Sequence, residues 1–363
     1  MTGGGVDANA GRADRARPLV AGVDIGGTKV AALVVDAEGA VLGRASGSMT
    51  RPSGPAGLEP VVAAIRAALA EAGAPPSDLA AIGIGVPGRV DPASGSVELA
   101  VNLGWRDVPL ARLVEAELGA PCVVENDVRI AAAGLVGGAA GGASGEAGAE
   151  GPRSLAYLAI GTGIGAGLVL DGRLYRGTRG MAGEVGHVVV EPDGHPCACG
   201  QLGCLETVAS GPAIARLARE ALAAGHGSSL EAVEPLTARA VYDAARDGDR
   251  LALELADRVG RALGRAIVAL VMTCDVERIL MGGGVAAAGR VFLDPILAEI
   301  RRSRARSPLV AELISEDAVR LLPPGHDAVA WGGVALARSH AGDGARPTHD
   351  ESVGEEGGPA DER

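Results

Sequence analysis

The chain is 363 residues long, with 47% hydrophobic residues, only 2% aromatics, 57 glycines and a formal net charge of -12. That length suffices for two domains with sizeable cores, and the acidic balance disfavours non-specific nucleic-acid binding. No apolar run of about 18 residues reads as a membrane span, and the polar, Gly-rich start is not a signal peptide, so a cytoplasmic protein is expected.

Residues 1–17 read as a disordered arm. Residues 19–25 (LVAGVDI) read as a strand, followed by a Gly-Gly turn and strands at 30–35 and 41–45. A helix is predicted over 57–73, with Leu58, Val61, Ile65 and Leu69 on one face. Residues 81–86 form a strand ending at Pro87-Gly88, a turn signal. Residues 121–125 form another, feeding Asn126-Asp127, with a helix starting at Val128. The pattern then restarts: strand 155–160, turn 161–165, strand 166–170. The two units VDIGGTKVAALVV and LAIGTGIGAGLVL predict an internally duplicated core of β-hairpins. Residues 137–153 read as a flexible Gly/Ala/Ser loop between the halves. Helices are predicted at about 207–224, 235–246 and 249–272. A strand at 278–281 runs into Gly282-Gly283-Gly284, with a helix after it. A short strand is expected at 310–313, a final helix from Ala328 to Arg338, and a disordered acidic tail over 342–363. The basic run Arg301, Arg302, Arg304 and Arg306 reads as a solvated helix face.

Three Gly-rich turns sit at strand ends. In Asp24-Ile25-Gly26-Gly27-Thr28-Lys29 small residues let backbone N–H groups approach phosphate oxygens. The run is neither a Walker A loop nor a dinucleotide fingerprint. Gly161-Thr162-Gly163 is the second turn, and Gly283 lies in the third, suited to passage beside an adenosine. Together they argue for a nucleotide in a cleft between two domains, although a chain this rich in glycine also makes ordinary turns. Asp127, just past an apolar strand, suits a general base acting on a sugar hydroxyl; the competing role is a cap for the helix that follows. Asn126 offers a donor and an acceptor beside it.

The densest signal is GEVGHVVVEPDGHPCACGQLGCLE. Three of the five cysteines fall within eight residues. His187, Cys197, Cys199 and Cys204 make a complete structural zinc set with no open position for chemistry; buried free thiols or a disulfide are the alternatives. A reducing compartment favours the metal. His195 is a rival ligand, with His187 preferred. Glu184 and Glu206 flank the cluster, where a metal-pinned loop would aim them at vicinal sugar hydroxyls. His187 can serve zinc through one ring nitrogen and a sugar through the other. Cys122 and Cys274 read as buried core residues.

The motifs VDIGGTK, GVPG, ENDV, IGTGIGAG, GEVGH, CACGQLGCLE and LMGGG together resemble the ROK family of bacterial sugar kinases and related repressors, over about residues 19–341. Within that family the chain is most similar to actinobacterial ATP-dependent glucokinases. The resemblance implies an α/β actin-like ATPase (ribonuclease H-like) fold, with two domains around a central cleft. The small domain would be residues 18–127 completed by helix 328–341. The large one would be 128–327, with the zinc loop at 187–204. It implies Asp127 as catalytic base. Gly88, Asn102, Asn126, Glu184, His187 and Glu206 would contact a hexose. Asp24, Gly26, Gly27, Thr28, Lys29, Gly161, Thr162, Gly163 and Gly283 would hold ATP with Mg²⁺. A structural Zn²⁺ on His187, Cys197, Cys199 and Cys204, and a homodimer or homotetramer, are also implied, with no membrane or nucleic-acid partner. Close glucokinases follow END with Ala-Asn. Here Val128-Arg129 follows, so Arg129 stands behind Asp127, where it alters the base's surroundings or the oligomer surface. The proline often preceding Asn102 is also missing. Repressor members carry an N-terminal helix-turn-helix, for which only about 18 residues precede the first strand. Glucose is the expected acceptor. N-acetylglucosamine, N-acetylmannosamine, mannose or fructose, polyphosphate as donor, or a non-catalytic sugar sensor are the alternatives.

Overall fold

A computed structural model of the chain describes residues 18–49, 55–136 and 152–342. The predicted arm over 1–17, most of the loop over 137–153 and all but the first residue of the tail over 342–363 lie outside these.

Two five-stranded sheets organise the molecule. The first has the order β3-β2-β1-β4-β8, from β1 (Leu19–Ile25), β2 (Lys29–Val35), β3 (Val41–Ser48), β4 (Leu79–Val86) and β8 (Cys122–Asn126). The second has the order β11-β10-β9-β12-β13, from β9 (Leu155–Ile160), β10 (Ile164–Leu170), β11 (Arg173–Tyr175), β12 (Arg278–Gly282) and β13 (Val319–Leu321). In each, an antiparallel hairpin pairs in parallel with two later strands. The duplication expected from the sequence is therefore present in strand order and direction. Central strands with helices over their faces need apolar residues on both sides. LVAGVDI meets that demand, with only Asp24 less than fully buried.

The sequence reading missed the small sheet of β5 (Arg89–Asp91), β6 (Ser96–Ala100) and β7 (Trp105–Val108), along with β13 and the helix α2 (Leu110–Leu118). These strands have at most five residues, too short for alternation to stand out. Helix α1 (Glu59–Glu71) buries Val61, Ile65 and Leu69, as its pattern predicts. Helix α3 (Asp127–Leu135) begins one residue earlier than expected.

Residues 207–224 are two helices, α4 (Glu206–Ala209) and α5 (Gly211–Ala223). Ser210 is extended between them, and its hydroxyl caps α5. Thr237 and Asp249 likewise cap α6 (Ala238–Arg246) and α7 (Arg250–Cys274). A 3₁₀ turn and then α8 (Arg290–Arg306) follow the third glycine turn. The strand expected at 310–313 is instead part of α9 (Pro308–Leu313), with Pro308 at its start and the Ser307 hydroxyl accepting from Val310 N; capping overrode β-propensity. Cys122 is buried, but Cys274, at the end of α7, is only half-buried, which corrects the expectation. The basic run on α8 is not wholly solvated either, because Arg302 binds the buried Glu299, as does Arg265. No described helix is long and apolar enough to cross a membrane.

Helix α10 (Ala328–Gly342) packs Ala330, Val334 and Ala337 against Val20, Leu33 and Ala81 of the first sheet. Helix α3 packs Ala131, Ala132 and Leu135 against Leu155, Tyr157 and Val169 of the second. The two helices touch each other, so they form the joint between the sheets. The contact is nearly backbone to backbone. A Cβ on Gly83 would lie 2.0 Å from the Gly333 carbonyl oxygen, and one on Gly332 1.8 Å from that of Ile130. Gly83→Ala should therefore cost about 2 kcal/mol or more of stability by overpacking. Gly227→Ala, where a Cβ meets nothing within 4 Å, should change stability by less than about 0.5 kcal/mol. Urea unfolding of the two variants against the parent checks the contrast.

Candidate active site and metal cluster

The strand ends of both sheets face a cleft of about 780 Å³. From the first half come Gly26 and Gly27 after β1, Gly88 after β4, Asn102, and Asn126 and Asp127 where β8 meets α3. From the second come Gly161, Thr162 and Gly163 between β9 and β10, then Glu184, His187 and Glu206, and Gly283 after β12. Thirteen of the predicted sugar, nucleotide and catalytic residues thus share one cavity. Asp24, Thr28 and Lys29 do not line it. Thr28 and Lys29 are exposed near the hairpin tip, and Asp24 sits behind, partly buried at the end of β1.

The β1–β2 turn closes through Gly26 N donating to the Lys29 carbonyl at 2.8 Å. The β9–β10 turn closes through Gly161 N to the Gly163 carbonyl at 3.0 Å. Ile164 N donates to Glu206 Oε2 at 2.9 Å, so Glu206 braces that turn while facing the cleft. Beside the turn lies a second cavity of about 490 Å³, walled by Gly161, Thr162, Gly211, Pro212, Ala215, Leu236, Thr237, Ala238, Arg239, Gly284 and Val285. Sequence reasoning missed its 211–215 and 236–239 walls. Helix starts carry no local mark of the turn they will face across space.

Of the two roles weighed at the start of α3, the cap falls to Asn126. Its Oδ1 accepts from Val128 N at 3.1 Å and Arg129 N at 3.2 Å, and its Nδ2 donates to the Gly88 carbonyl at 3.2 Å. Asp127 Oδ1 accepts from Val128 N at 2.9 Å and Asn126 Nδ2 at 3.0 Å. Its Oδ2 takes no hydrogen bond from the described residues. Burial pushes the Asp127 carboxyl above the usual range, against the lowering effect of those hydrogen bonds and Arg129. Asp24 is pushed up to about 7, first by burial and then by the charges of Asp127 and Asp327, with Lys29 opposing. Two carboxylates that repel each other in a partly desolvated wall form an anionic focus, suited to a proton or a divalent cation.

Across the cleft, His187, Cys197, Cys199 and Cys204 bring one ligand atom each within 4.8 Å of the others. Cys197 Sγ is 3.6 Å from His187 Nδ1, and Cys199 Sγ is 3.6 Å from Cys204 Sγ. A tetrahedral ion with metal–sulfur bonds of about 2.3 Å needs ligand separations near 3.8 Å, so the donor set fits one. Burial and the neighbouring thiols push Cys204 up to about 12, a penalty that a bound cation reverses. His195 is not in the cluster; its Nε2 lies 3.3 Å from Glu220 Oε2. With Nδ1 turned to the cysteines, His187 Nε2 is left 3.9 Å from Glu184 Oε2.

Fold and site together define a two-lobed α/β protein of the actin- and hexokinase-like kind, with open sheets flanking a cleft. The chain belongs to the ROK family, whose model matches residues 20–340. It is 38% identical over 282 residues to a glucokinase of Halalkalibacterium halodurans, covering 76% of this chain and 83% of that one. A ROK hexokinase structure from Thermus thermophilus superposes with TM-score 0.72 at 32% identity, over 90% of this chain and all of that one. A ROK glucokinase from Streptomyces griseus, solved with glucose and AMPPNP, does so with TM-score 0.68 at 34% identity, over 88% and 99%. A putative xylose repressor of Caldicellulosiruptor sp. is also similar, 35% identical over 235 residues, 63% of this chain and 56% of that one.

The electrostatics give a pH test. Asp24 binds its proton more tightly folded than unfolded. Its contribution to stability is therefore full below the ordinary carboxylate value and is lost as pH rises through about 7. Asp24→Asn removes the penalty. In buffer free of nucleotide and Mg²⁺, the variant should melt higher than the parent at about pH 8 and equally at about pH 4. Equal differences at both would contradict it.

Proposed function

We propose that this protein is a hexose kinase that transfers the γ-phosphoryl group of ATP to the 6-hydroxyl of glucose. The observation that carries the reading is one cleft holding a carboxylate with a free oxygen, three glycine turns, and a sugar-sized set of polar groups on the facing wall. The relatives' names support it. We take residues 18–127 with α10 as one lobe and 128–327 as the other, of the actin-like ATPase (ribonuclease H-like) type.

In this reading Asp127 Oδ2 accepts the proton of the attacking hydroxyl. Its raised affinity for a proton suits a general base. Asn126 fixes the other oxygen and so the orientation of the carboxylate. Gly88, Asn102, Asn126, Glu184, His187 and Glu206 bind the hexose hydroxyls. Gly26, Gly27, Thr28, Lys29, Gly161, Thr162 and Gly163 receive the phosphates, and Gly283 passes the adenosine, with the second cavity taking the base. Asp24 would hold Mg²⁺, directly or through water; that ion neutralises phosphate charge. The lobes' closure excludes water.

Zn²⁺ is the ion we assign to His187, Cys197, Cys199 and Cys204, because thiolates with an imidazole suit it and all four positions are filled by protein. It would fix the His187 ring and the loop bearing Glu184 without taking part in chemistry. A dimer or tetramer follows the family expectation.

Two experiments test this. ADP release from ATP and Mg²⁺ should depend on glucose more than on N-acetylglucosamine, N-acetylmannosamine, mannose or fructose. It should fall by at least about 10²–10⁴-fold in Asp127→Asn. Preference for another sugar moves the acceptor, activity with polyphosphate widens the donor, and sugar binding without turnover in the parent makes the protein a sensor. Metal analysis should return about one zinc per chain, lost in Cys204→Ser together with sugar affinity. Full sugar affinity in zinc-free, folded protein would remove the ion from the site's support.

A further inference from the structure

The Glu125 carboxylate lies behind Asp127 and is 1% exposed. Three groups converge on it. Asn126 N donates to Oε1 at 2.8 Å. Arg129 Nε forms an ion pair with Oε1 at 3.0 Å, and Arg176 Nε one with Oε2 at 2.6 Å. The Arg129 side chain is itself 6% exposed, and its Nη1 donates to the Gly180 carbonyl. Glu125 is the last residue but one of β8 and Arg129 lies in α3, whereas Arg176 and Gly180 belong to the segment after β11 in the other half of the molecule.

That segment, residues 176–184, has no regular secondary structure. It turns through Gly177, Gly180 and Gly183, all with positive φ. At its end stands Glu184, which lines the cleft, and beyond it His187 of the cysteine cluster. Gly183 is pinned to β10, its carbonyl accepting from Ala166 N at 2.8 Å. Among the described residues, the hydrogen bond from Arg129 to the Gly180 carbonyl and the ion pair of Arg176 with Glu125 tie the segment's first part to the base's side. Asp127 needs neither arginine for its own hydrogen bonds, which come from Val128 N and Asn126 Nδ2. The turn at Gly161–Gly163 is braced separately by Glu206.

We propose that Arg129 is a positioning residue for the sugar. Together with Glu125 and Arg176 it straps the segment carrying Glu184 to the helix that begins at the catalytic base. The proposal rests on the kinase reading and adds to it a residue that the family resemblance would have filled with asparagine. Arginine suits the position because its guanidinium sets a positive charge against the Glu125 carboxylate while its Nη1 donates to the Gly180 carbonyl, a span that a lysine ammonium on a flexible stem does not cover. A buried guanidinium here also leaves no charge unpaired, because Glu125 lies beside it.

The test compares the parent protein with Arg129→Met, Arg129→Lys and Arg176→Gln. Steady-state kinetics should show the KM for the sugar rising about tenfold or more in all three. The kcat should stay within about threefold, and the KM for ATP should not change. Hydrogen–deuterium exchange, measured without substrate, should quicken in peptides covering 176–184 and not in those covering the Gly161–Gly163 turn. Arg129→Met empties a buried position. If it fails to fold, Arg176→Gln decides, because that side chain is 38% exposed. An unchanged sugar KM overturns the positioning role even if exchange quickens, and unchanged exchange overturns the strap. If the parent phosphorylates no hexose, the kinase reading fails. Exchange still decides whether Arg129 holds the segment, and sugar affinity by calorimetry replaces KM.

Discussion

The near-contact of backbones between α3 and α10 is the constraint from which the site's geometry follows. Each sheet buries its own core, so neither needs the other to fold a strand. What the halves share is the helix pair, and glycine is what lets it close. Gly134 and Gly332 leave no room for a Cβ between the helices, nor do Gly83 and Gly333 between α10 and the first sheet. Gly167 does the same where β10 meets α3, since a Cβ there would stand 2.4 Å from the Val128 carbonyl oxygen. Packing this tight is intolerant of volume change. The distance from Asp127 to the glycine turns of the second sheet is thereby set by backbone, with few side-chain rotamers in between.

A rigid joint permits an unfavourable charge arrangement at its mouth. Asp24 and Asp127 are held where burial opposes their ionisation, and the charge of Asp127 opposes that of Asp24 further. A softer site would relax by turning one carboxyl to solvent. Here Asp24 is fixed in the register of β1 against β2 and β4, and Asp127 by two hydrogen bonds at the start of α3. The strain is stored as raised proton affinity. In the reading proposed above, that property suits Asp127 to accept a proton as general base.

Much of this was legible in the sequence, because it is written in local patterns. LVAGVDI and LAIGTGIGAGLVL announce buried strands joined by glycine turns, and both are hairpins at the cleft. The cysteine cluster is compact enough that its spacing predicts its assembly, with His187 rather than His195 in the set. Other features depend on partners far away in the chain. The brief strands β5–β7 gain their order from pairing with one another, and 310–313 becomes helix because Ser307 and Pro308 start one. The second cavity is walled by helix starts that no motif marks. Arg129 was visible as a departure from the family pattern. Its acceptor Gly180, and Arg176 on the Glu125 carboxylate that the two arginines share, lie about fifty residues on and could not be read from spacing.

The stretch between β11 and α4 shows why the site needs fastenings by charged pairs and by the His–Cys cluster. Residues 176–205 contain, as helix or strand, only a three-residue 3₁₀ turn. A connection of that length without secondary structure is uncommon in a compact domain and pays a large ordering entropy. Its apolar anchors are few: Leu205 is buried and Val185 and Val190 pack against the core, while Met181, Val188, Val189 and Leu202 are exposed. Three polar fastenings supplement them: Glu125 with its arginines at the start, the His–Cys cluster in the middle, and Glu191 bound through both oxygens to Arg258 of α7. Glu184 lies between the first two. A carboxylate that is to bind ligand hydroxyls, the role proposed above for Glu184, must be placed within a fraction of an ångström. An irregular loop reaches that precision only when tied on either side of the residue that matters, and Glu184 has the Glu125–arginine cluster on one side of it and the His–Cys cluster on the other.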